Sequence, residues 1–163
     1  MPDAVVSNTS PIQYLHQLGL LDLLPHFYGQ ITIPQGVQQE LAVGRSLGVE
    51  LPDLTTLSWI QIRTALQAQP LSLASTLGVG EREAFALALE MADPLVVIDD
   101  GKARRIGRLL GLRMAGSIGV LARGVREGII FSLSPLLDQL DSLGFRLSTE
   151  ARTAALRLVG EGF

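Results

Sequence analysis

Cysteine is absent from the 163-residue chain, which excludes disulfides, thiolate zinc sites and thiol nucleophiles. Long apolar segments are missing too. No run approaches the roughly 18 residues of a membrane span, and the N-terminus has no basic region followed by an apolar stretch. We therefore expect a soluble protein of the cytoplasm. Neither G-x-x-x-x-G-K-[ST] nor G-x-G-x-x-G occurs, which disfavours a protein that holds nucleotide phosphates in a glycine-rich loop.

Charged residues are scarce and apolar residues are common. Charged residues make up 18% of the chain and hydrophobic residues 47%, with a mean hydropathy of +0.34. A surface richer in apolar groups than usual predicts self-association, as a homodimer or a higher homo-oligomer. The net charge of −3 disfavours a protein covered in positive charge.

One segment is nevertheless basic. Between positions 102 and 126 the chain has no acidic residue, and its basic residues are Lys102, Arg104, Arg105, Arg108, Arg113, Arg123 and Arg126. These side chains either contact the phosphates of a nucleic acid or occupy the solvated outer faces of ordinary helices. The sequence leaves both interpretations open.

Short apolar segments alternate with helical segments along the chain. Strands are predicted near 5–7 and at 30–33, 59–62, 95–98 and 112–115, whereas 64–79 stays open between helix and loop. Helices are predicted at 11–24, 34–41, 80–92, 102–110, from about 117, at 135–143 and at 149–159. This alternation predicts an α/β, three-layer fold with a mainly parallel central sheet flanked by helices. The length suits one domain, 1–163, with 130–163 as a C-terminal helical extension.

Polar residues follow two of the predicted strands. Asn8, Thr9 and Ser10 come after the first apolar run, and Asp99 and Asp100 come after Leu95–Ile98. Because parallel strands end at the same edge of a sheet, we expect these groups at one crevice. Ser10 followed by Pro11 also fits the start of a helix, so capping alone would explain the first group.

Further acids lie on the predicted helices, and one of them is expected to be buried. Glu40 follows the second strand, and Glu81 and Glu83 open a helix that is apolar nearly all round. An unpaired carboxylate facing protein at Glu83 would be costly, so it needs a basic partner or a cation. Several carboxylates in one pocket favour a hard divalent cation such as Mg²⁺, although most acids simply lie on solvated faces.

Four segments in this order resemble the PIN domain, in its VapC-like branch. They are VVSNTSPI, IPQGVQQEL, GVGEREAFALALE and LVVIDDGKARRIGRLLGLRMAGSIGVL, and the tail PLLDQLDSLGFRLS extends the likeness over nearly the whole chain. The resemblance implies a metal-dependent ribonuclease directed at single-stranded RNA. Members are often toxins that an antitoxin protein holds inactive, and many form dimers.

The resemblance also implies roles for particular residues. The family's acidic positions match Asn8, Glu40, Glu83 and Asp100, with Ser10 beside the first and with Asp99 and Glu81 as spare carboxylates. Glu40, Glu83, Asp100 and Asp99 would then hold Mg²⁺ or Mn²⁺. Asn8 and Ser10 would orient a water molecule. Contacts to RNA phosphates would come from Lys102, Arg104 and Arg105.

Asn8 departs from the general family pattern, which has Asp at this position. An amide oxygen still coordinates Mg²⁺, but it carries no charge and cannot act as a base. Two hypotheses follow: a ribonuclease weakened at its first acidic position, or a PIN-like module that binds RNA or a protein partner without cutting.

Overall fold

The computed structural model describes residues 2–66 and 76–162. Five strands lie within these ranges: β1 (Ala4–Ser7), β2 (Ile31–Pro34), β3 (Ile60–Arg63), β4 (Pro94–Val97) and β5 (Arg113–Ala115). The α-helices of the same ranges are α1 (Thr9–Gln17), α2 (Leu23–Tyr28), α3 (Gln35–Ser46), α4 (Val79–Leu89), α5 (Gly101–Leu109), α6 (Ser117–Arg126), α7 (Ser134–Ser142) and α8 (Thr149–Leu158). None of these helices is long and apolar enough to cross a membrane.

The strands form one sheet in the order β3-β2-β1-β4-β5, and every pairing is parallel. On the central strand, Val6 is in register with Thr32 of β2 on one side and with Val96 of β4 on the other. The predicted α/β fold is confirmed. The order reverses between β1 and β4, so the carboxyl ends of these two strands border the crevice where open parallel sheets bind ligands.

Apolar side chains cover both faces of the sheet, as alternation along the strands requires. Val5 belongs to a cluster with α1, α2, α3, α6 and the C-terminal helices, where Leu137 and Ala155 are buried. Val6 belongs to a second cluster, in which Phe85 of α4 and Ile106 of α5 are buried. The three layers are therefore helices, sheet and helices.

The first helix differs from its prediction. It begins at Thr9 with Asn8 as the residue before it, not after Ser10, and it ends at Gln17 instead of continuing to Leu24. Gly19 has a φ of +73°, and its amide bonds back to the carbonyl of His16, which is a common way to end a helix. Of the ambiguous stretch 64–79, residues 67–75 lie outside the described residues.

Candidate active site

A cavity of about 440 Å³ opens at the carboxyl ends of β1 and β4. Its lining combines strand-end, loop and helix residues: Asn8, Thr9, Ser10, Glu40, Thr76, Leu77, Gly78, Gly80, Glu81, Asp100 and Lys102. A larger cavity of about 620 Å³ lies beside α3 and the loop after it, and contains none of the strand-end polar residues. The smaller cavity is therefore the candidate site, because it occupies the point where the strand order reverses.

Three carboxylates line this cavity, those of Glu40, Glu81 and Asp100. Burial raises the pKa of Glu81, and the negative charges of Asp100 and Glu40 raise it further, whereas the Gly78 amide and Lys102 act in the opposite direction. Asp100 and Glu40 therefore lie close enough for their charges to act on Glu81. A cation among them would relieve the repulsion.

Each of these carboxylates uses one oxygen in a local hydrogen bond. Oε2 of Glu40 accepts from the Thr9 hydroxyl. Oδ2 of Asp100 accepts from the Ala103 amide at 2.8 Å, which caps the N-terminus of α5. Oε1 of Glu81 accepts from the Gly78 amide at 3.3 Å. Within residues 2–66 and 76–162, no three His, Cys, Asp or Glu side chains are grouped closely enough to enclose a metal ion.

Asn8 lines the same cavity and has a side-chain oxygen without a hydrogen-bond partner in the described chain. The residue is 6% exposed, and its Oδ1 is one of the few buried polar side-chain atoms of the described chain that have no hydrogen-bond partner. Leaving a buried oxygen unpaired costs free energy, and a cation would offset that cost. One amide oxygen and three carboxylates make a hard, oxygen-only donor set, so the chemistry of these residues fits Mg²⁺ or Mn²⁺, although in the described residues the side chains do not close around an ion.

Comparison with known families agrees with this geometry. The family model DUF3368, a PIN domain, matches residues 4–161. The chain belongs to the PIN-domain family. Membership indicates a nuclease-type function that involves RNA, and PIN domains generally depend on divalent metal ions. A search of the curated proteins found no match.

Glu83 does not line the cavity of this PIN domain, in contrast to the sequence expectation. Its Oε2 accepts a hydrogen bond of 2.7 Å from the Gly36 amide in the first turn of α3. Residues two positions apart on a helix point about 160° apart, so Glu81 and Glu83 face nearly opposite sides of α4. Glu81, a spare carboxylate by resemblance, is the one that lines it.

Asp99 also lies apart from the cavity. Its two oxygens accept from the amide and the hydroxyl of Ser117, at 2.6 and 2.7 Å, at the start of α6. Burial raises the pKa of Asp99, although the Ser117 bonds and the charge of Arg104 act against the increase. Successive residues of an extended segment point to opposite sides, so Asp99 faces α6 while Asp100 faces the cavity.

The three residues predicted to contact RNA differ in their exposure. Lys102 lines the cavity and is exposed, and Arg105, one turn further along α5, is exposed as well. Arg104 is half-buried instead, with Nε buried and without a hydrogen-bond partner in the described chain. Its guanidinium lies beside Gly116, close to Asp99. Lys102 and Arg105 are therefore available to a ligand, whereas Arg104 faces α6.

The sequence placed Thr9 at this crevice without giving it a role of its own, and sequence reasoning missed Gly80. The Thr9 hydroxyl holds Glu40, and Gly80 leaves room for it, since a Cβ at Gly80 would lie 3.0 Å from Oε1 of Glu40. The signal for Gly80 was present in the motif GVGE, because a glycine inside a helical segment suggests a close approach.

Proposed function

We propose that this PIN domain is a metal-dependent endoribonuclease that cuts single-stranded RNA with Mg²⁺ or Mn²⁺, as VapC-like toxins do. The observation that carries the proposal is the oxygen set at the β1–β4 crevice. Glu40, Glu81 and Asp100 line one cavity with Asn8, whose buried Oδ1 has no partner within the described residues. Such a set would hold one divalent cation.

A bound cation would supply a Lewis acid that activates water and neutralises charge on a phosphodiester. The chain's own residues prepare the site for it. Thr9 fixes Glu40 through a hydrogen bond, and the capped N-terminus of α5 fixes Asp100. Ser10 adds a hydroxyl at the cavity wall. Lys102, on the rim, is placed to attract an RNA phosphate, and Arg105 would extend that contact along α5.

Of the family's four acidic positions, the third was matched by resemblance to Glu83, and we assign its role at the cavity to Glu81 instead. We assign to Asp99 the role of bonding to the start of α6. This assignment is supported by the lining of the cavity and by the bonds that Glu83 and Asp99 make elsewhere.

The experiment that tests the function is cleavage of a single-stranded RNA by the purified protein with Mn²⁺, with and without a chelator. We expect Asp100→Asn and Glu81→Gln each to reduce the rate about 100-fold or more, because each removes a charged ligand. The exposed change Gln139→Glu is the control and should leave the rate unchanged. Chelator-resistant cutting, or full activity in Asp100→Asn, would contradict the proposal.

A second candidate is a PIN module that binds RNA or a protein without cutting, and Asn8 favours it. The uncharged amide stands where the general family pattern has an acid, which weakens the hold on a cation. RNA binding without cleavage by the wild type and by Asn8→Asp would support this module. Cleavage that appears only in Asn8→Asp would show that Asn8 has switched the site off.

The toxin-like interpretation also includes a protein partner, an antitoxin, and self-association as a homodimer or higher oligomer. Large exposed apolar side chains support contacts with another polypeptide, and Phe131, Leu47 and Leu109 are among them. Sedimentation velocity of the purified chain tests self-association, and a monomer at all concentrations would rule it out.

A further inference from the structure

Helices α3 and α4 are joined by two reciprocal contacts between a glycine and a glutamate. Glu83 of α4 reaches Gly36 of α3, and Glu40 of α3 reaches Gly80 of α4. A Cβ at Gly36 would lie 2.5 Å from Oε2 of Glu83, and one at Gly80 would lie 3.0 Å from Oε1 of Glu40. A side chain at Gly36 would therefore displace the Glu83 carboxylate, whereas one at Gly80 would crowd Glu40 by a few tenths of an ångström.

The two contacts lie about one turn apart on each helix. Gly36 and Glu40 are four residues apart, and Gly80 and Glu83 are three apart, so each pair shares one helix face. Moving forward along α4 from Gly80 to Glu83 corresponds to moving back along α3 from Glu40 to Gly36. The Glu83–Gly36 bond therefore lies one turn of α3 from Glu40 and one turn of α4 from Gly80.

The N-terminus of α3 is a favourable place for the carboxylate of Glu83. The amide of Gly36 belongs to the first turn of α3, whose amides have no partner within the helix. A carboxylate there satisfies one of these donors and interacts favourably with the helix dipole. Asp or Glu is absent from the first turn of α3 itself, so Glu83 of α4 supplies this charge from outside the helix.

We propose that Glu83 is a positioning residue: by bonding to the Gly36 amide it locks α3 against α4 and so holds Glu40 and Glu81 at the same cavity. The expected effect of Glu83 on metal binding rests on the proposed metal-dependent function. This positioning role explains why an acid inside the GEREAF motif serves the site without lining it.

Two variants separate positioning from direct metal binding. Glu83→Gln keeps an oxygen that accepts the Gly36 bond, whereas Glu83→Ala removes it. In metal-free protein, hydrogen exchange of the Gly36 amide should speed up about tenfold in Glu83→Ala and much less in Glu83→Gln, because one hydrogen bond is lost only in the first. Gly36→Ala should resemble Glu83→Ala, since the new Cβ displaces the carboxylate.

Mn²⁺ affinity, measured by titration calorimetry, provides the second readout. We expect Glu83→Ala to weaken binding about fivefold or more and Glu83→Gln to restore it to within about twofold of wild type. Glu81→Gln should weaken binding at least as much as Glu83→Ala while leaving the Gly36 exchange rate unchanged. The remote change Glu150→Gln controls for loss of one negative charge.

The outcomes distinguish this inference from the proposed function. Equal losses of Mn²⁺ affinity in Glu83→Gln and Glu81→Gln would make Glu83 a direct ligand and overturn the inference. An unchanged Gly36 exchange rate in Glu83→Ala would overturn it as well. A wild type that binds no Mn²⁺ would refute the proposed function, and the exchange measurements would still decide whether Glu83 positions α3.

Discussion

At the scale of single residues, neighbouring acids of this chain take different tasks. Asp100 faces the cavity and caps α5, while Asp99 bonds to Ser117 and caps α6. Glu81 faces the cavity, while Glu83 bonds to the first turn of α3. In each pair one carboxylate is available for chemistry and the other stabilises the helices that surround it.

Asn8 provides the prediction at this scale. Asn8→Asp adds a fourth carboxylate to a residue that is 6% exposed, beside Glu40, Glu81 and Asp100. We expect the metal-free variant to lose about 1–3 kcal/mol of unfolding free energy at pH 7, because like charges repel where solvation is poor. Excess Mn²⁺ should reverse the loss, since binding to the folded state alone stabilises it.

Thermal unfolding with and without Mn²⁺ measures both effects. Gln139→Glu adds the same charge at an exposed position of α7 and should show neither of them. If Asn8→Asp were as stable as wild type without metal, or if Mn²⁺ failed to restore it, Asn8 would not lie among the acids as described.

At the scale of elements, glycines set how closely helices approach their neighbours. Gly107 of α5 faces β5 and α4, and a Cβ there would overlap the thioether of Met114 and lie 3.2 Å from Cε1 of Phe85. Gly119 of α6 is exposed, and a Cβ there would meet nothing within 4 Å. Adding a methyl group should therefore have opposite effects on stability at Gly107 and at Gly119.

We expect Gly107→Ala to lower the unfolding free energy by about 1–3 kcal/mol, because the extra methyl group overpacks a close interface. Gly119→Ala is the matched control and should raise it by about 0.5–1 kcal/mol, because alanine loses less backbone entropy on entering a helix. Urea denaturation followed by circular dichroism measures both. Equal effects in the two helices would mean that α5 does not pack against Met114 as closely as described.

At the scale of the whole molecule, hydrogen bonds of Glu161 hold the segment after α8 against the start of α7. Glu161 accepts hydrogen bonds from the Leu133 amide at 2.7 Å, the Ser132 hydroxyl at 2.7 Å and the Ser134 amide at 3.1 Å. These donors lie at the start of α7, and Leu137 and Leu140 of that helix are buried in the cluster that covers Val5 of β1. Glu161 thus ties the C-terminus to the layer of helices opposite α4 and α5.

The bonds of Glu161 predict a pH dependence of stability. Hydrogen bonds from Leu133 and Ser132 lower the pKa of Glu161 below its usual value of 4.5. The stabilisation is therefore present above pH 4.5 and is lost as pH falls through the lower pKa of the folded state. We expect Glu161→Gln to unfold at lower urea than wild type at pH 7, with a difference that shrinks in acid.

Urea midpoints at pH 7 and at about pH 3 measure this difference. Asp141→Asn, an exposed change on α7, controls for the loss of one charge and should shift the midpoint little at either pH. A gap between wild type and Glu161→Gln that stayed constant with pH would show that protonation of Glu161 does not matter to the fold.

The alternation of strands and helices, the mainly parallel sheet and the family could all be predicted from the sequence. Apolar strands such as Leu95–Ile98, each followed by a helical segment, can bury both faces of a sheet only in a layered α/β fold. The same order brings Asn8 and Asp100 to one edge of the sheet, where the structure has them. The break of the first helix at Gly19 was not predicted, although a glycine stands there in the sequence.

Which acid of each neighbouring pair faces the cavity depends on tertiary packing. Sequence spacing places Glu81 and Glu83 on one helix, but it does not specify how that helix is rotated about its axis. The rotation of α4 follows from its packing on the sheet through Phe85 and on α3 through Gly36 and Gly80, contacts between distant parts of the chain. A local pattern records the order and spacing of side chains, whereas their direction depends on packing against segments far away in sequence.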